Sequence, residues 1–264
     1  MPDAPVTPPL APAGPDDHRL AADLAGRSAA LLTSLRDHLV ADGADAATLK
    51  DEGDRRSHDL LMGALADRIA LGDAVLSEEG DRHGDRLGVE RVWIVDPLDG
   101  TREFSEPPRT DWAVHVALCV DGLPAAGAVA LPALGLVLST AEPPTLPAAT
   151  GGAPRVIVSR SRPPAAATFL ADQLGGELVE MGSAGAKAMA VVRGEADVYA
   201  HSGGQYEWDS CAPVAVAVAA GLHCSRIDGS PLTYNHADPY LPDLLICRPE
   251  LAADALTALA RFAG

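Results

Sequence analysis

The chain has 264 residues and a formal net charge of −17. At roughly 150 residues per domain, this length is compatible with one or two domains and provides a large core. The acidic balance argues against a nucleic-acid polymer or an anionic membrane as a partner, because both need basic patches. No basic segment with an apolar core opens the chain, and no apolar run approaches the roughly 18–20 residues of a membrane span. We therefore expect a cytoplasmic protein.

The first part of the chain predicts a tail followed by two helices. Residues 1–16 are rich in proline and lack apolar periodicity, which is typical of a disordered tail. Leucines recur near helical spacing over residues 18–42, which predicts a helix. A polar segment at residues 50–56 separates it from a second predicted helix over residues 59–71.

Short apolar runs then predict a sheet. The runs cover residues 74–77, 91–95, 112–120, 127–131 and 134–139, with Asp-Gly and Pro turns between them. The stretch 141–154 is rich in Pro, Ala, Thr and Gly and predicts a boundary between two halves. We accordingly divide the chain into an N-terminal half, 17–145, with a metal site, and a C-terminal half, 146–264, with substrate contacts.

Strands and helices alternate after this boundary. Predicted strands lie at 155–159, 178–180, 196–200, 222–227 and 244–247, and predicted helices at 164–174, 185–193, 209–220 and 251–262. This order is typical of an α/β arrangement, whereas the first half resembles an α+β meander packed on two helices.

Four carboxylates stand where a fold can gather them. Glu78 and the pair Asp96 and Asp99 follow apolar runs, and Asp209 opens an apolar helix. Four carboxylates in one site repel each other and raise each other's pKa values. Divalent cations relieve that repulsion, and oxygen-only ligands suit Mg²⁺ better than zinc. Two Mg²⁺ ions balance the four negative charges, and a third makes the site attractive to an anion.

The segment 96–101 has the chemistry of a turn that holds a phosphate and a metal. Pro97 fixes φ and is expected to stop the strand, so that two carboxylates and the Leu98 carbonyl point to one place. Gly100 permits close approach to a ligand, and the amides after it can hold a phosphate oxygen. Thr101 adds a hydroxyl that can orient an attacking water. Two metals about 4 Å apart suit an in-line displacement.

Three motifs in this order resemble a known family. They are Ser77-Glu78-Glu79, the run Trp93–Thr101 (WIVDPLDGT) and Glu207-Trp208-Asp209. The sequence is similar here to the inositol-monophosphatase-like, metal-dependent phosphatases. That resemblance implies their layered αβαβα sandwich and a magnesium-dependent phosphomonoesterase.

Within that group the chain looks most like the CysQ-type 3′(2′),5′-bisphosphate nucleotidases. The closer resemblance rests on the motifs LSEE at 76–79, DGTREF at 99–104, VSRS at 158–161, GS at 182–183 with Lys187, and YEWD at 206–209. It implies hydrolysis of the 3′-phosphate of 3′-phosphoadenosine 5′-phosphate, a by-product of sulfate activation. The alternatives are an inositol monophosphatase or fructose-1,6-bisphosphatase on the same scaffold, and a non-catalytic metabolite- or metal-binding protein.

The same resemblance implies roles for individual residues. It implies two or three Mg²⁺ ions, with the metal ligands Glu78, Asp96, the Leu98 carbonyl, Asp99 and Asp209. It implies a catalytic set of Thr101, Glu78 and Asp96. It implies substrate contacts from Gly100, Thr101, Ser159, Arg160, Ser183, Lys187 and Asp209.

Two positions depart from the family pattern. An early Asp of the family serves a third metal and the attacking water, and here either Asp54 or Asp59 can match it. An Arg is common where this chain has His201, which weakens the expected contact to a 5′-phosphate. The relatives include monomers and dimers, so a homodimer is compatible with the resemblance.

Simpler structural roles stay open for several of these residues. Asp209 can be a helix cap only, and Ser183 can be a capping serine. Lys187 can be a solvated surface lysine. His115 has no partner pattern in the sequence, so we interpret it as a core or surface residue.

Overall fold

Two five-stranded sheets organise the computed structural model, which describes residues 7–80, 86–149 and 151–262. The first contains β1 (Ala74–Ser77), β2 (Arg91–Asp99), β3 (Ala113–Val120), β4 (Leu123–Leu131) and β5 (Leu136–Ser139), in that spatial order. The second contains β6 (Arg155–Ser159), β7 (Glu177–Met181), β8 (Val198–Tyr206), β9 (His223–Ser225) and β10 (Tyr240–Cys247), in the order β7-β6-β8-β10-β9. In the first sheet only β1 and β2 pair in parallel, whereas β7, β6 and β8 are parallel in the second.

The helices form three layers around these sheets. They are α1 (Pro15–Ala41), α2 (Ala46–Ala70), the single turn α3 (Thr101–Phe104), α4 (Ala165–Leu174), α5 (Ala184–Val192), α6 (Glu207–Ala219) and α7 (Ala252–Phe262). The first two cover the outer face of the first sheet, α5 and α6 lie between the sheets, and α4 and α7 cover the outer face of the second. The predicted αβαβα sandwich, with an α+β first half and an α/β second half, is therefore confirmed.

The middle layer is apolar because it faces a sheet on each side. All nine residues of α5 are buried, and α6 is apolar through most of its length. Helices that are apolar all round belong in the interior of a protein. In the part of the chain that the structure describes, no helix is both long and apolar enough to cross a membrane.

The predicted break before the second helix is wrong. The polar segment 50–56 belongs to α2. This helix begins directly after its N-cap Asp45, whose side chain accepts a hydrogen bond from the Thr48 amide at 2.8 Å. Within the segment, Glu52 pairs with Arg55 at 2.8 Å and with Arg56 at 3.0 Å. Pairs at these spacings support a helix without any apolar periodicity.

Two further predictions differ from the structure. Pro97 does not stop its strand, because β2 runs on to Asp99 with an irregular register between Asp96 and Asp99. The predicted tail over residues 1–16 ends earlier, since α1 begins at Pro15. Thr7 Oγ1 also accepts a hydrogen bond from the Cys224 amide at 3.0 Å. Residues 1–6 lie outside the described part.

Candidate active site

A cluster of three carboxylates lies at the junction of the two halves. Asp96 and Asp99 stand at the end of β2, and Asp209 stands in the first turn of α6. One oxygen of each carboxylate lies within 4.8 Å of the others. The chain brings together residues more than a hundred positions apart because α6 packs across β2, β3 and β4.

Burial and the neighbouring negative charges raise the pKa values of Asp96 and Asp209. Burial raises the pKa of Asp96 well above its usual range, and the charges of Glu78, Asp99 and Asp209 raise it further. Burial and the charge of Asp99 raise the pKa of Asp209 to about 7. Buried like charges with oxygen donors only are the donor set of a hard divalent cation. These residues therefore fit a metal ion.

Asp99 differs from its neighbours because the N-terminus of α5 surrounds it. Its Oδ2 accepts hydrogen bonds from the Ser183 hydroxyl at 2.5 Å and the Gly185 amide at 2.6 Å, and its Oδ1 accepts one from the Ala184 amide at 3.1 Å. Burial opposes ionisation, but hydrogen bonds and charge from His115 and Ser183 outweigh it and hold the pKa of Asp99 well below its usual range. Asp99 thus stays an anion in a fixed position.

Asp209 caps its own helix and faces the cluster at the same time. Its Oδ2 accepts a hydrogen bond from the Tyr206 amide at 2.7 Å, in a capping box at the start of α6. Asp209 is thus the third residue of α6 and not the N-cap that the sequence left open, since Tyr206 holds that position. Its role in the capping box coexists with a position in the carboxylate cluster. The cap fixes the orientation of the carboxylate.

A close approach of α2 to the end of β2 brings in Asp54. A Cβ on Gly53 would lie 2.7 Å from Leu98 Cδ2 and 2.9 Å from Phe104 Cε1, so only glycine permits this packing. The next residue, Asp54, accepts a hydrogen bond from Thr101 Oγ1 at 3.3 Å. The Thr101 hydroxyl also lies 3.1 Å from the Leu98 carbonyl oxygen. Asp54 and Thr101 therefore form one side of the site.

The structure distinguishes Asp54 from Asp59, which the sequence left as alternatives. Burial, together with the charges of Glu79 and Glu78, raises the pKa of Asp54 to about 7. Asp59 lies one helical turn further on with 63% of its side chain exposed, and it pairs with Arg55 at 3.3 Å. Asp54 is the residue beside Thr101, and Glu78 and Glu79 are near enough to act on its charge.

Gly100 shapes the turn between β2 and α3. It takes a left-handed conformation with φ +83° at the N-cap of α3. A Cβ there would lie 3.0 Å from the Ser183 Cβ and 3.3 Å from the Asp111 carbonyl oxygen. The prediction that this turn allows a close approach agrees with its geometry, although the approaching group is the protein's own loop.

Two predicted substrate contacts are engaged elsewhere in the structure. Arg160 Nε donates to Glu103 Oε1 at 2.6 Å, and Nη2 donates to Glu106 Oε2 at 2.8 Å. These ion pairs join the end of β6 to α3 and to the loop after it. Ser159 is the last residue of β6, and its Oγ accepts from the Arg162 amide at 3.3 Å. No contact between either residue and the carboxylate cluster occurs among the described residues.

Lys187 is buried, contrary to the solvated alternative. Its side chain donates to the Ser183 carbonyl at 2.5 Å and lies 3.3 Å from the Gly182 carbonyl oxygen. Burial lowers its pKa, and the nearby carboxylates, Asp99 first, oppose that effect. A buried cation thus stands within electrostatic reach of the cluster.

His201 cannot supply the positive charge of the arginine it replaces. Its Nε2 bonds the Gly203 carbonyl oxygen at 2.7 Å. Burial lowers the pKa of His201 to about 4, so the ring is neutral near pH 7. Any phosphate near this position must find its charge partner in another residue.

Comparison with known proteins agrees with this geometry. The model of the inositol monophosphatase family matches residues 19–144 and 154–262, which include every carboxylate of the cluster. The chain belongs to the inositol monophosphatase family. The resemblance stated from the sequence motifs is thereby confirmed.

Several relatives are similar over most of their length. A 3′-phosphoadenosine 5′-phosphate phosphatase of Mycobacterium leprae is 51% identical over 249 residues, covering 89% of this chain and 90% of the relative. The protein of the same name from Mycobacterium bovis is 54% identical over 222 residues, covering 81% and 82%. The crystal structure of CysQ from Bacteroides thetaiotaomicron has a TM-score of 0.74 and 26% identity, covering 89% of this chain and 97% of that one.

Proposed function

We propose that this protein is a magnesium-dependent phosphatase that removes the 3′-phosphate of 3′-phosphoadenosine 5′-phosphate and yields AMP and phosphate. The observation that carries the proposal is the cluster of Asp96, Asp99 and Asp209, with oxygens within 4.8 Å of one another. The substrate comes from relatives that are 51% and 54% identical and carry that activity in their names.

An acidic chain needs bound cations at its site to accept an anionic substrate. Glu78 and the three aspartates of the cluster place four negative charges together, and the whole chain carries −17. We assign two or three Mg²⁺ ions to these carboxylates and the Leu98 carbonyl. When bound, they supply a nucleophilic water at neutral pH and stabilise the leaving oxygen. The protein contributes the fixed carboxylates that set their positions.

Thr101 and Asp54 are the pair that we assign to the nucleophile. Because the Thr101 hydroxyl directs its hydrogen toward Asp54 and the Leu98 carbonyl, its oxygen lone pair is available to accept a hydrogen bond from the attacking water. Asp54 accepts a hydrogen bond from the Thr101 hydroxyl and thereby orients that hydroxyl. Glu78 completes the set, since its charge acts on both Asp54 and Asp96.

The substrate contacts divide into two groups. We assign the amides of Gly100 and Thr101 to the scissile phosphate, and to the buried Lys187 an electrostatic attraction for the substrate without direct contact. Ser183 and Arg160 act on the protein instead, because Ser183 holds Asp99 and Arg160 holds Glu103. A cytoplasmic location and a homodimer stay predictions.

A three-substrate comparison tests the proposal. Phosphate release with Mg²⁺ is measured for 3′-phosphoadenosine 5′-phosphate, inositol 1-phosphate and fructose 1,6-bisphosphate, and kcat/KM is compared. We expect the bisphosphate nucleotide to lead by at least tenfold. A larger kcat/KM for either sugar phosphate would favour the rival phosphatases of the same scaffold.

The variant Asp96→Asn separates an enzyme from a binding protein. It removes one charge of the cluster at nearly constant volume, and we expect kcat to fall by about 10³-fold or more. Asp67→Asn on the exposed face of α2 makes the same chemical change away from the site and should leave kcat unchanged. If the wild-type protein releases phosphate from none of the three substrates, the non-catalytic alternative replaces this proposal.

A further inference from the structure

The imidazole of His115 is buried beside the carboxylate cluster. The proposed chemistry does not use this group. His115 lies in β3 with 0% of its surface exposed. In the ladder between β2 and β3 its backbone is the partner of Asp96. No pattern in the sequence predicts this environment, since no residue adjacent to His115 in the chain contributes to the cluster.

The two ring nitrogens contact Asp99 and the residue before Asp209. Nδ1 lies 2.9 Å from the carbonyl oxygen of Trp208, the residue immediately before Asp209. Nε2 lies 3.2 Å from Asp99 Oδ2, within ion-pair distance but without the alignment of a hydrogen bond. One rigid ring therefore spans the distance between the end of β2 and the start of α6.

The surrounding packing reserves space for this ring. A Cβ on Gly185 would lie 2.0 Å from His115 Nε2, so any larger residue at this position would displace the imidazole or the helix. The Gly185 amide donates to Asp99 at the same time. The N-terminus of α5 and the His115 ring thus hold the Asp99 carboxylate from two directions.

We infer that His115 is a positioning residue that fixes the separation of Asp99 and Asp209 and thereby sets the affinity of the site for a divalent cation. The inference rests on the metal site of the proposed function. Asp99 and Asp209 belong to different elements and repel each other. The N-terminus of α5 holds the first and the capping box of α6 holds the second, and the His115 ring links the end of β2 to the start of α6. Loss of the ring therefore leaves the spacing between these two elements less constrained. Groups that orient metal ligands from behind typically change metal affinity by 10–100-fold when they are replaced.

Two amide variants separate the contacts of the two ring nitrogens. In His115→Asn the short amide reaches the position of Nδ1 and keeps the contact to Trp208, but it loses the reach to Asp99. In His115→Gln the longer amide reaches the position of Nε2 and restores the contact to Asp99. We measure the dissociation constant of Mn²⁺ by electron paramagnetic resonance, and thermal unfolding in EDTA.

We expect the Mn²⁺ dissociation constant of His115→Asn to rise by about tenfold or more, and that of His115→Gln to rise less. A merely structural histidine would lower the melting temperature of both variants in EDTA and leave both dissociation constants within twofold of the wild type. That result would overturn the inference.

A second measurement keeps the test decisive if the variants do not fold. The ¹⁵N imidazole resonances of the wild-type protein are followed during a Mg²⁺ titration, and the buried His115 is identified by its slow solvent exchange. We expect its Nε2 resonance to shift with occupancy of the site, and an unchanged resonance would contradict the inference. Wild-type protein that binds Mn²⁺ but does not hydrolyse the nucleotide refutes the proposed function alone.

Discussion

Replacing Asp209 by asparagine should make the metal-free protein more stable while it disables the site. Asp209 lies within 4.8 Å of two other carboxylates, and its pKa is raised to about 7 from 3.8. The folded protein therefore binds this proton more tightly than the unfolded chain does. The contribution of Asp209 to the free energy of unfolding falls as pH rises from about 4 to about 7, and the loss is complete above pH 7.

The size of the effect follows from the charge repulsion and from the pKa shift, which combines burial with that repulsion. One pair of charges 4.8 Å apart interacts by about 3 kcal/mol at an effective dielectric constant of about 20. A pKa of about 7 in place of 3.8 corresponds to about 4 kcal/mol. The amide oxygen of asparagine can keep the hydrogen bond from the Tyr206 amide, so the helix cap survives. We expect a gain of about 2–4 kcal/mol at pH 8.

Thermal unfolding in EDTA measures this gain. At about 2–4 °C per kcal/mol, Asp209→Asn should melt about 5–15 °C above the wild type at pH 8, and the difference should shrink toward pH 4. Added Mg²⁺ at 100 times the dissociation constant should raise the free energy of unfolding of the wild type by about 2.7 kcal/mol, and with it the melting temperature, and should stabilise the variant much less. Asp67→Asn serves as the control for a lost surface charge. A folded Asp209→Asn protein that melts at or below the wild type in EDTA at pH 8 would refute the crowding of charge.

Two other substitutions test the supports of the site. Asp54→Asn should lower kcat by about 10²-fold or more, because the Thr101 hydroxyl loses its charged acceptor. Asp59→Asn, one turn along the same helix, should leave kcat within twofold, and equal losses would reject the assignment of Asp54. Ser57→Ala removes the buried hydroxyl that donates to the Pro97 carbonyl at 2.6 Å, and it should lower the free energy of unfolding by about 1–3 kcal/mol in denaturant titration. An unchanged unfolding midpoint would show that this bond does not hold the end of β2.

The helices and strands were predictable where the chain repeats a simple pattern. The leucine spacing of α1 and the short apolar runs of both sheets are such patterns, and the structure places elements at each of them. The polar start of α2 was missed because ion pairs and a cap, and not apolar spacing, stabilise it. The end of β2 was misplaced because pairing with β3 continues past Pro97 to Asp99.

The sequence by itself determined the family and the carboxylates of the candidate site. Asp96, Asp99 and Asp209 stand in motifs whose order and composition are specific, and such motifs are local properties of a chain. Local patterns also predicted most of the helices and strands and their order, because apolar period and turn residues decide which elements form. The layered arrangement of those elements followed from the resemblance to the family.

Only the tertiary structure decided which side chains far apart in the chain meet. Asp54 rather than Asp59 reaches Thr101 because glycine at 53 lets α2 approach β2. Arg160 pairs with Glu103, and His115 spans from Asp99 to the turn before Asp209. These contacts join residues far apart in the chain through packing distances of a few ångströms, and no local pattern records such distances.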